Sequence, residues 1–452
     1  MKSARLAAVV LCLLPLLVIP AGAAGTGTAA DAAAAAAMRR TLMYGIDSQV
    51  MEALQTLKKA WDPGFAGDLA AILTDKRSAS LQTAVLEVFR DQSLSDGEGF
   101  ARLILDNWQD EPSDLGIAAI RYLGALHSGG LAARLTPIVD STDKGLATAA
   151  IEGLGMAGDS SSAALLLKKL ASTDYPDGRK TDLILALGTL KDKSAVDALL
   201  GIVQNTDEER IRRLYAADAL GKIGDPRALP ALRDMLGEKE ALVRQYAAGA
   251  LARFSLAEVF DSLIQGLRDE DAKVRESSAK ALGRPLDGAQ SPAAVPILSY
   301  KAELDPVSQV RIASIKALGE IGGDPAMQRL LAIYRASDRP LESREAALMI
   351  LASKALPLSM GAIRKVIDDE WKANDPRTLE STAKVLSAAR GAELRDLYVR
   401  FMGSPDPVVR SYGARGAAFN GFSDLKDKVK AMGDTDPNPG TRKEAQLAAA
   451  KL

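Results

Sequence analysis

The sequence has almost none of the side chains on which common catalytic and metal sites depend. Its 452 residues include one cysteine, Cys12, and one histidine, His127. Paired thiolate or imidazole ligands for a metal are therefore excluded, and a histidine-based triad would have to use His127, which has no recognisable setting. No Gly-x-Ser-x-Gly, Walker-type or EF-hand-like run is present. The sequence predicts no catalytic residues, no metal ligands and no cofactor, and we expect the protein not to be an enzyme.

Aromatic residues are also scarce, at 4% of the chain, although hydrophobic residues reach 47% and alanine is abundant. A large single core usually contains more aromatic residues, whereas an alanine-rich composition suits helices that pack closely together. The formal net charge is −1, and losing Lys2 and Arg5 with an N-terminal signal would make it −3. Proteins that bind nucleic acids usually carry an excess of basic residues, and this sequence has none, so we expect no nucleic-acid partner.

The N-terminus is typical of a secretory signal peptide over residues 1–23. A short basic start precedes the apolar run from Leu6 to Pro20, and the small residues Ala21, Gly22 and Ala23 follow. Cleavage is predicted after Ala23, with Ala24 as the next choice. An uncleaved membrane anchor is the alternative, although the run is short for a full span. We expect export to the periplasm or cell envelope, with secretion possible, and no integral membrane span in the mature chain. Residues 24–43 form an alanine-rich lead-in, predicted to be flexible and helical only near its end.

The rest of the chain repeats itself every 31 to 36 residues. The clearest signal is an Ala-Leu-Gly triplet that ends a helical segment. Its copies are Ala186-Leu187-Gly188, Ala219-Leu220-Gly221, Ala281-Leu282-Gly283 and Ala317-Leu318-Gly319. Gly-Asp-Pro linkers at 224–226 and 323–325 provide a helix end, a cap and a first-turn proline. One period is long enough for two helices and their turns, and no segment alternates as a strand would.

Most periods from residue 207 onward carry an arginine eight residues before the closing small residue, and an acid six residues before that arginine, although around Leu379 the arginine is missing. We call this series the ladder. The acid is expected in the turn between two helices, where it accepts hydrogen bonds from free backbone N–H groups. The arginine is expected to reach an acid of its own or the neighbouring turn. The ladder consists of Asp207 and Arg213, Glu238 and Arg244, Asp269 and Arg275, Asp305 and Arg311, Asp338 and Arg344, and, after a gap, Arg410, Asp436 and Arg442.

With the turn acid, the Val-Arg helix start, Ala-x-x-Ala-Leu-Gly and Gly-Asp-Pro, the chain resembles HEAT-repeat proteins, in particular the short repeats named after phycobilisome lyases. The resemblance is strongest from about 140 to 350. It implies an all-α fold, a right-handed α-solenoid of about 12 antiparallel helix pairs. We expect degenerate repeats over 44–140 and the main array over 141–452, ending in a C-terminal half-repeat.

The resemblance implies that the second helix of each pair lines a concave face, where a protein or peptide partner would bind. Residues five and nine positions after the ladder arginine should lie on that face, and those between about 222 and 320 are mildly basic. A solvated surface with no partner is the alternative interpretation. The candidate partner-binding residues are Asp218, Lys222, Arg253, Lys280, Arg284, Lys316 and Glu320, and Gly249, Met349 and Arg415 share their register.

The expected function is therefore that of an exported scaffold or adaptor without catalytic activity. The alternative from another class is a carrier of a linear tetrapyrrole or another chromophore, or a lyase-like enzyme, because phycobilisome lyases attach linear tetrapyrroles to proteins. No residue of the sequence supports that chemistry, and export would separate the protein from cytoplasmic biliprotein assembly.

Overall fold

The computed structural model describes residues 29–75, 77–158, 160–284, 292–373 and 376–452, and all the regular secondary structure in these ranges is helical. The all-α fold built from antiparallel helix pairs is therefore confirmed. The predicted signal peptide and the first residues of the lead-in lie outside the described residues. No helix within the described ranges combines the length and the apolar character that a membrane span requires.

The chain divides into two compact units, and the first ends at Leu190. The ten α-helices in its described residues, in chain order, are α1 Ala29–Tyr44, α2 Asp47–Lys59, α3 Ala66–Thr74, α4 Ala79–Asp91, α5 Glu98–Asp106, α6 Ser113–Ala125, α7 Leu131–Leu135, α8 Lys144–Ala157, α9 Ser160–Ala171 and α10 Asp177–Leu190.

The second unit runs from Lys191 to Leu452. Its described helices are α11 Val196–Gln204, α12 Arg210–Ile223, α13 Leu229–Leu236, α14 Ala241–Leu251, α15 Leu256–Gly266, α16 Ala272–Leu282, α17 Val295–Leu304, α18 Ser308–Ile321, α19 Gly323–Arg335, α20 Leu341–Lys354, α21 Leu356–Ala373, α22 Pro376–Ser387, α23 Arg395–Met402, α24 Pro407–Asn420, α25 Lys426–Thr435 and α26 Pro439–Ala449.

Odd-numbered helices are the first helices of successive pairs and even-numbered helices are the second helices, which gives thirteen pairs in the described ranges. Each first helix packs on the second helix of its own pair. Within each unit, consecutive second helices also pack against each other, whereas consecutive first helices touch over fewer residues. Apolar side chains fill the space between these layers, as in other stacked-repeat folds.

Glycine allows the second helices to approach closely. Gly283 lies directly after α16, and a Cβ atom there would be only 2.5 Å from the Cα atom of Ala317 on α18. A Cβ atom at Gly221 on α12 would similarly lie 2.8 Å from the Cα atom of Ala250 on α14. The glycine of the Ala-Leu-Gly triplet therefore serves the contact between helices. It also ends α16, whereas α12 continues past its triplet to the next glycine. Gly224 has a left-handed φ of 71° and ends α12.

Two ends of the array differ from the expected boundaries. The described part of the lead-in is a regular helix from Ala29, and it is tied down where Leu42 is buried and Arg39 pairs with Asp68 at 3.1 Å. At the C-terminus the predicted half-repeat is a complete pair, α25 and α26. The sequence carries only a weak signal for α25, because this helix buries only Val429 and Gly433.

Candidate partner-binding face

The ladder of unit 2 joins each helix pair to the next. Nε and Nη2 of Arg275 donate to the two carboxylate oxygens of Asp305, at 2.8 and 3.0 Å. Nη1 of the same guanidinium donates to the backbone carbonyls of Asp269 and Glu270, both at 2.9 Å. The arginine therefore holds the carboxylate of the following turn and the main chain of its own turn. Both side chains are buried, with 8% of Arg275 and 0% of Asp305 exposed.

The same arrangement recurs along the unit. In each case the arginine and the acid of the next turn lie 2.6 to 2.8 Å apart. The pairs are Arg213 with Glu238, Arg244 with Asp269, and Arg410 with Asp436. Where the acid is an aspartate, at 269, 305 and 436, it also accepts a hydrogen bond from the backbone N–H two residues later, as Asp436 does from Asn438 at 2.9 Å. This bond holds the turn that leads into the second helix.

Two members of the predicted ladder have different partners. Nη2 of Arg311 donates to Glu342 at 2.7 Å, and Nη2 of Arg344 donates to Glu370 at 2.8 Å. Among the described residues, neither Asp207 nor Asp338 pairs with a ladder arginine, and both carboxylates are exposed. Glu370 escaped the sequence pattern because it lies inside the long helix α21 rather than in a turn. The spacing could have indicated it, because arginine and partner acid are 25 or 26 residues apart in the pairs of Arg213, Arg244 and Arg410, although Arg275 and Asp305 are 30 apart.

The ion pairs shift the ionisation of the buried acids. Hydrogen bonds from Arg410 lower the pKa of Asp436 from its usual value of 3.8. Burial alone would raise the pKa of Asp305, but the hydrogen bonds from Arg275 and from the Val307 N–H outweigh it and leave the pKa lowered. Both acids are therefore charged at neutral pH and act as fixed anchors for the arginines.

The opposite side of the second helices is more exposed, although Leu214 on α12 is buried there. Positions one, five and nine after the ladder position share one side of the helix, because they are separated by four residues. We call this surface in unit 2 the second-helix face. Three of the predicted binding residues meet there. Asp218 on α12 pairs with Lys222 of its own helix at 2.9 Å and with Arg253, which follows α14, also at 2.9 Å.

The other four predicted residues are distributed along the same face. Lys280 on α16 pairs with Glu276 at 2.6 Å, and Glu320 on α18 pairs with Lys354 of α20 at 3.0 Å. Lys316 and Arg284 are exposed, Lys316 on α18 and Arg284 after α16. The structure therefore brings Asp218, Lys222 and Arg253 together, and sets the other four on successive helices.

An aromatic pair lies at the start of this face, formed by two tyrosines whose positions in the sequence indicated only core or groove wall. Tyr215 on α12 and Tyr246 on α14 are half-buried, and their rings meet edge to face with centroids 6.2 Å apart. Burial, together with Tyr215 and Asp218 nearby, raises the pKa of Tyr246. Beside it, Gly249 leaves open space, since a Cβ atom there would meet no neighbour within 4 Å. The sequence did contain a signal for this pair, because each tyrosine lies two residues after the ladder arginine of its helix.

Two polar side chains away from this face, His127 and Tyr175, are engaged in structural contacts. His127 lies in a turn with a positive φ of 50°, and its Nδ1 is 3.1 Å from the Met156 carbonyl oxygen. In unit 1, a cavity of about 230 Å³ contains Tyr175, whose hydroxyl donates to the Val139 carbonyl at 3.1 Å. In unit 2, a groove of about 460 Å³ between α17 and α19 is lined mainly by proline and short apolar side chains. No group of three or more metal-ligating side chains is found in the described part.

Paired helices joined by a repeated arginine–acid ladder define a HEAT-type repeat protein. The chain belongs to the spirochaete HEAT repeat protein family, whose sequence profile matches residues 42–448. The resemblance to HEAT-repeat proteins is thereby confirmed. No curated protein matches the sequence.

Solved structures of Kap121p are similar to this chain over most of its length. The complex of Kap121p with Pho4p shares 13% identity, with a TM-score of 0.45, and the match covers 94% of this chain and 52% of that one. The complex of the karyopherin Kap121p with the SUMO protease Ulp1p shares 12% identity, with a TM-score of 0.45, and covers 92% and 52%. This chain therefore spans about half the length of these proteins, and the likeness concerns the fold.

Proposed function

We propose that this protein is an exported scaffold or adaptor, without catalytic activity, that binds a protein or peptide on the second-helix face of unit 2. One observation carries the proposal. A repeated, buried ladder holds the second helices at a fixed spacing, whereas the exposed side chains of the same helices differ from pair to pair. A surface of this kind is extended rather than enclosed, which suits a macromolecular partner better than a small substrate.

The face also fits the inner side of a curved array. Consecutive second helices pack closely through glycines such as Gly221 and Gly283, and first helices approach each other less. The closer layer lies on the inner side when such an array curves, and the inner surface is the one that solenoids present to partners. The cavity of unit 1 supports the same interpretation, because Tyr175 and Arg179 donate to backbone carbonyls and Lys169 pairs with Asp140.

Site-specific crosslinking tests the binding face with a matched control. Met349 on α20 and Tyr300 on α17 are large apolar residues with 60% and 59% exposure, but Met349 lies on a second helix and Tyr300 on a first helix. A photo-crosslinking amino acid at each position would be activated in the native envelope fraction. We expect a discrete adduct from position 349 and none from position 300. Adducts from position 300 alone would overturn the proposal.

Export is the part of the proposal that rests on residues 1–23. Mass spectrometry of the native protein should find a mature N-terminus at Ala24 or Gly25, in the periplasm or cell envelope. Intact Met1 in the cytoplasm would contradict it. The same preparation tests the chromophore-carrier alternative, because a bound tetrapyrrole in stoichiometric amount would give visible absorbance.

A further inference from the structure

One line of positions along the second-helix face holds four basic side chains and one apolar side chain. Five residues after the ladder position, consecutive second helices from α16 to α24 each contribute one exposed side chain. We call these the basic row. Its members are Lys280, Lys316, Met349, Lys384 and Arg415. The fourth member was not found from the sequence because its helix, α22, has Leu379 where the ladder arginine would be.

The two ends and the middle of the basic row differ in how their charge is balanced. Lys280 is held by Glu276 at 2.6 Å, and Arg415 is held by Glu444 of α26 at 2.8 Å. In the described part of the chain, no carboxylate lies within ion-pair distance of Lys316 or Lys384. Two uncompensated ammonium groups are therefore available for a partner on the central helices of the row.

Three acidic side chains on the same face lie one turn before the row and are already engaged, and Glu320, one turn after Lys316, pairs with Lys354 at 3.0 Å. Glu276 accepts hydrogen bonds from Lys273 and Lys280, and Glu345 accepts one from the Ser381 hydroxyl of the next pair. Glu380 is partly buried beside Asp406, and burial together with that neighbouring charge raises its pKa. The three earlier acids form a separate line toward the turns and leave the lysines to face solvent.

Met349 lies between the two free lysines along the row, and it is 60% exposed. An apolar side chain that far out of the core contributes contact area only when something covers it. A partner that fits this arrangement carries negative charge at two points and an apolar group between them. Such a pattern belongs to a polypeptide segment, because a nucleic-acid backbone carries its charges evenly along its length.

We propose that the basic row binds an extended acidic segment of a protein partner, with carboxylates on Lys316 and Lys384 and an apolar side chain on Met349. This inference rests on the proposed function and specifies its partner. Neighbouring packed helices are about 8–10 Å apart, so the two lysines are separated by roughly 20 Å. An extended chain covers that distance in about six residues.

The binding test follows from this spacing. The probe is a fluorescein-labelled peptide with glutamates about six residues apart and a leucine midway. Its counterparts are the same peptide with lysine for glutamate, and a single-stranded oligonucleotide of similar length. Fluorescence anisotropy with the full mature chain should show saturable binding of the acidic peptide, and no comparable binding of the lysine peptide or the oligonucleotide.

Two double variants with the same change in net charge separate the basic row from the general charge of the protein. Lys316→Glu/Lys384→Glu should weaken binding of the acidic peptide by about tenfold or more. Lys428→Glu/Lys430→Glu, on the exposed surface of the first helix α25, should leave it within about twofold. Circular dichroism and melting temperature should be unchanged in both, because all four side chains are exposed.

Equal losses in the two double variants, or equal binding of the oligonucleotide, would overturn the proposal in favour of non-specific attraction. Absence of acidic-peptide binding, while position 349 still crosslinks to a partner, would overturn the acidic specificity and leave the proposed function standing. Absence of crosslinks at position 349 would instead remove the proposed function itself.

Discussion

The two sides of the second helices in unit 2 follow different rules. On the turn side, the ladder places the same arginine–acid contact in successive pairs, with 7% of Arg244 and 8% of Arg275 exposed. On the exposed side, the position five residues later is aspartate, glycine, lysine, lysine and methionine in the pairs from α12 to α20. Packing demands the repetition, because each pair must dock on the next in the same way. The exposed positions do not take part in this docking, so their side chains can vary and can determine which partner is recognised.

The largest expected difference between the two sides concerns the buried ladder. Arg275→Ala would leave Asp305 buried with only Lys301, at 3.3 Å, as a charged neighbour. We expect a loss of about 3 kcal/mol in unfolding free energy, measured by chemical denaturation. Arg442→Ala is the matched control, since Arg442 donates to the Asp436 and Pro437 carbonyls but reaches no carboxylate in the described chain. It should cost about 1 kcal/mol or less. Equal small losses would show that the ladder is not a structural element.

Glycine substitutions sharpen the comparison within the same layer. Gly283→Ala would place a methyl group against the backbone of α18, and overpacking of this kind costs about 1–3 kcal/mol. Gly249→Ala, on the exposed face, meets open space inside a helix and should stabilise the protein by about 0.5–1 kcal/mol. Thermal melts of the two variants should therefore shift in opposite directions. A loss of stability at Gly249 would mean that this face is packed rather than open.

Acid should weaken the ladder before it affects the exposed face. Because the pKa of Asp436 is lowered in the folded state, its contribution is complete above the usual value of 3.8 and is lost as the pH falls through the lower folded pKa. Melting temperatures of the wild type should fall steeply in that acidic window. Asp436→Asn should be less stable at neutral pH and show a flatter dependence below it. Parallel curves for the two proteins would contradict the assignment of this carboxylate.

The sequence predicted the fold because its signals are repeated and therefore reinforce each other. The period, the turn acid and the arginine recur in several pairs, so one weak copy is corrected by its neighbours. Features that occur once were missed. Glu370 replaces the turn acid from inside α21, and α25 is a helix with little apolar surface of its own.

The candidate face was only partly predictable for a related reason. The sequence located Lys280 and Lys316 from their position after the ladder arginine, but Lys384 lies on α22, which lacks this arginine. It could not show which lysines are compensated, because the partner carboxylates lie on the same helix in one case and on a neighbouring helix in another. That distinction depends on side-chain geometry between helices, as in the pairing of Arg253 with Asp218.

The central claim is that the ladder maintains the fold and the second-helix face binds the partner. A combined charge reversal of Lys280, Arg284 and Lys316 tests it most directly, with stability and partner capture measured on the same protein. The account predicts unchanged helicity and melting temperature, together with loss of the crosslinked adduct at position 349. A lowered melting temperature comparable to that of Arg275→Ala, or an undiminished adduct in a stable variant, would contradict it.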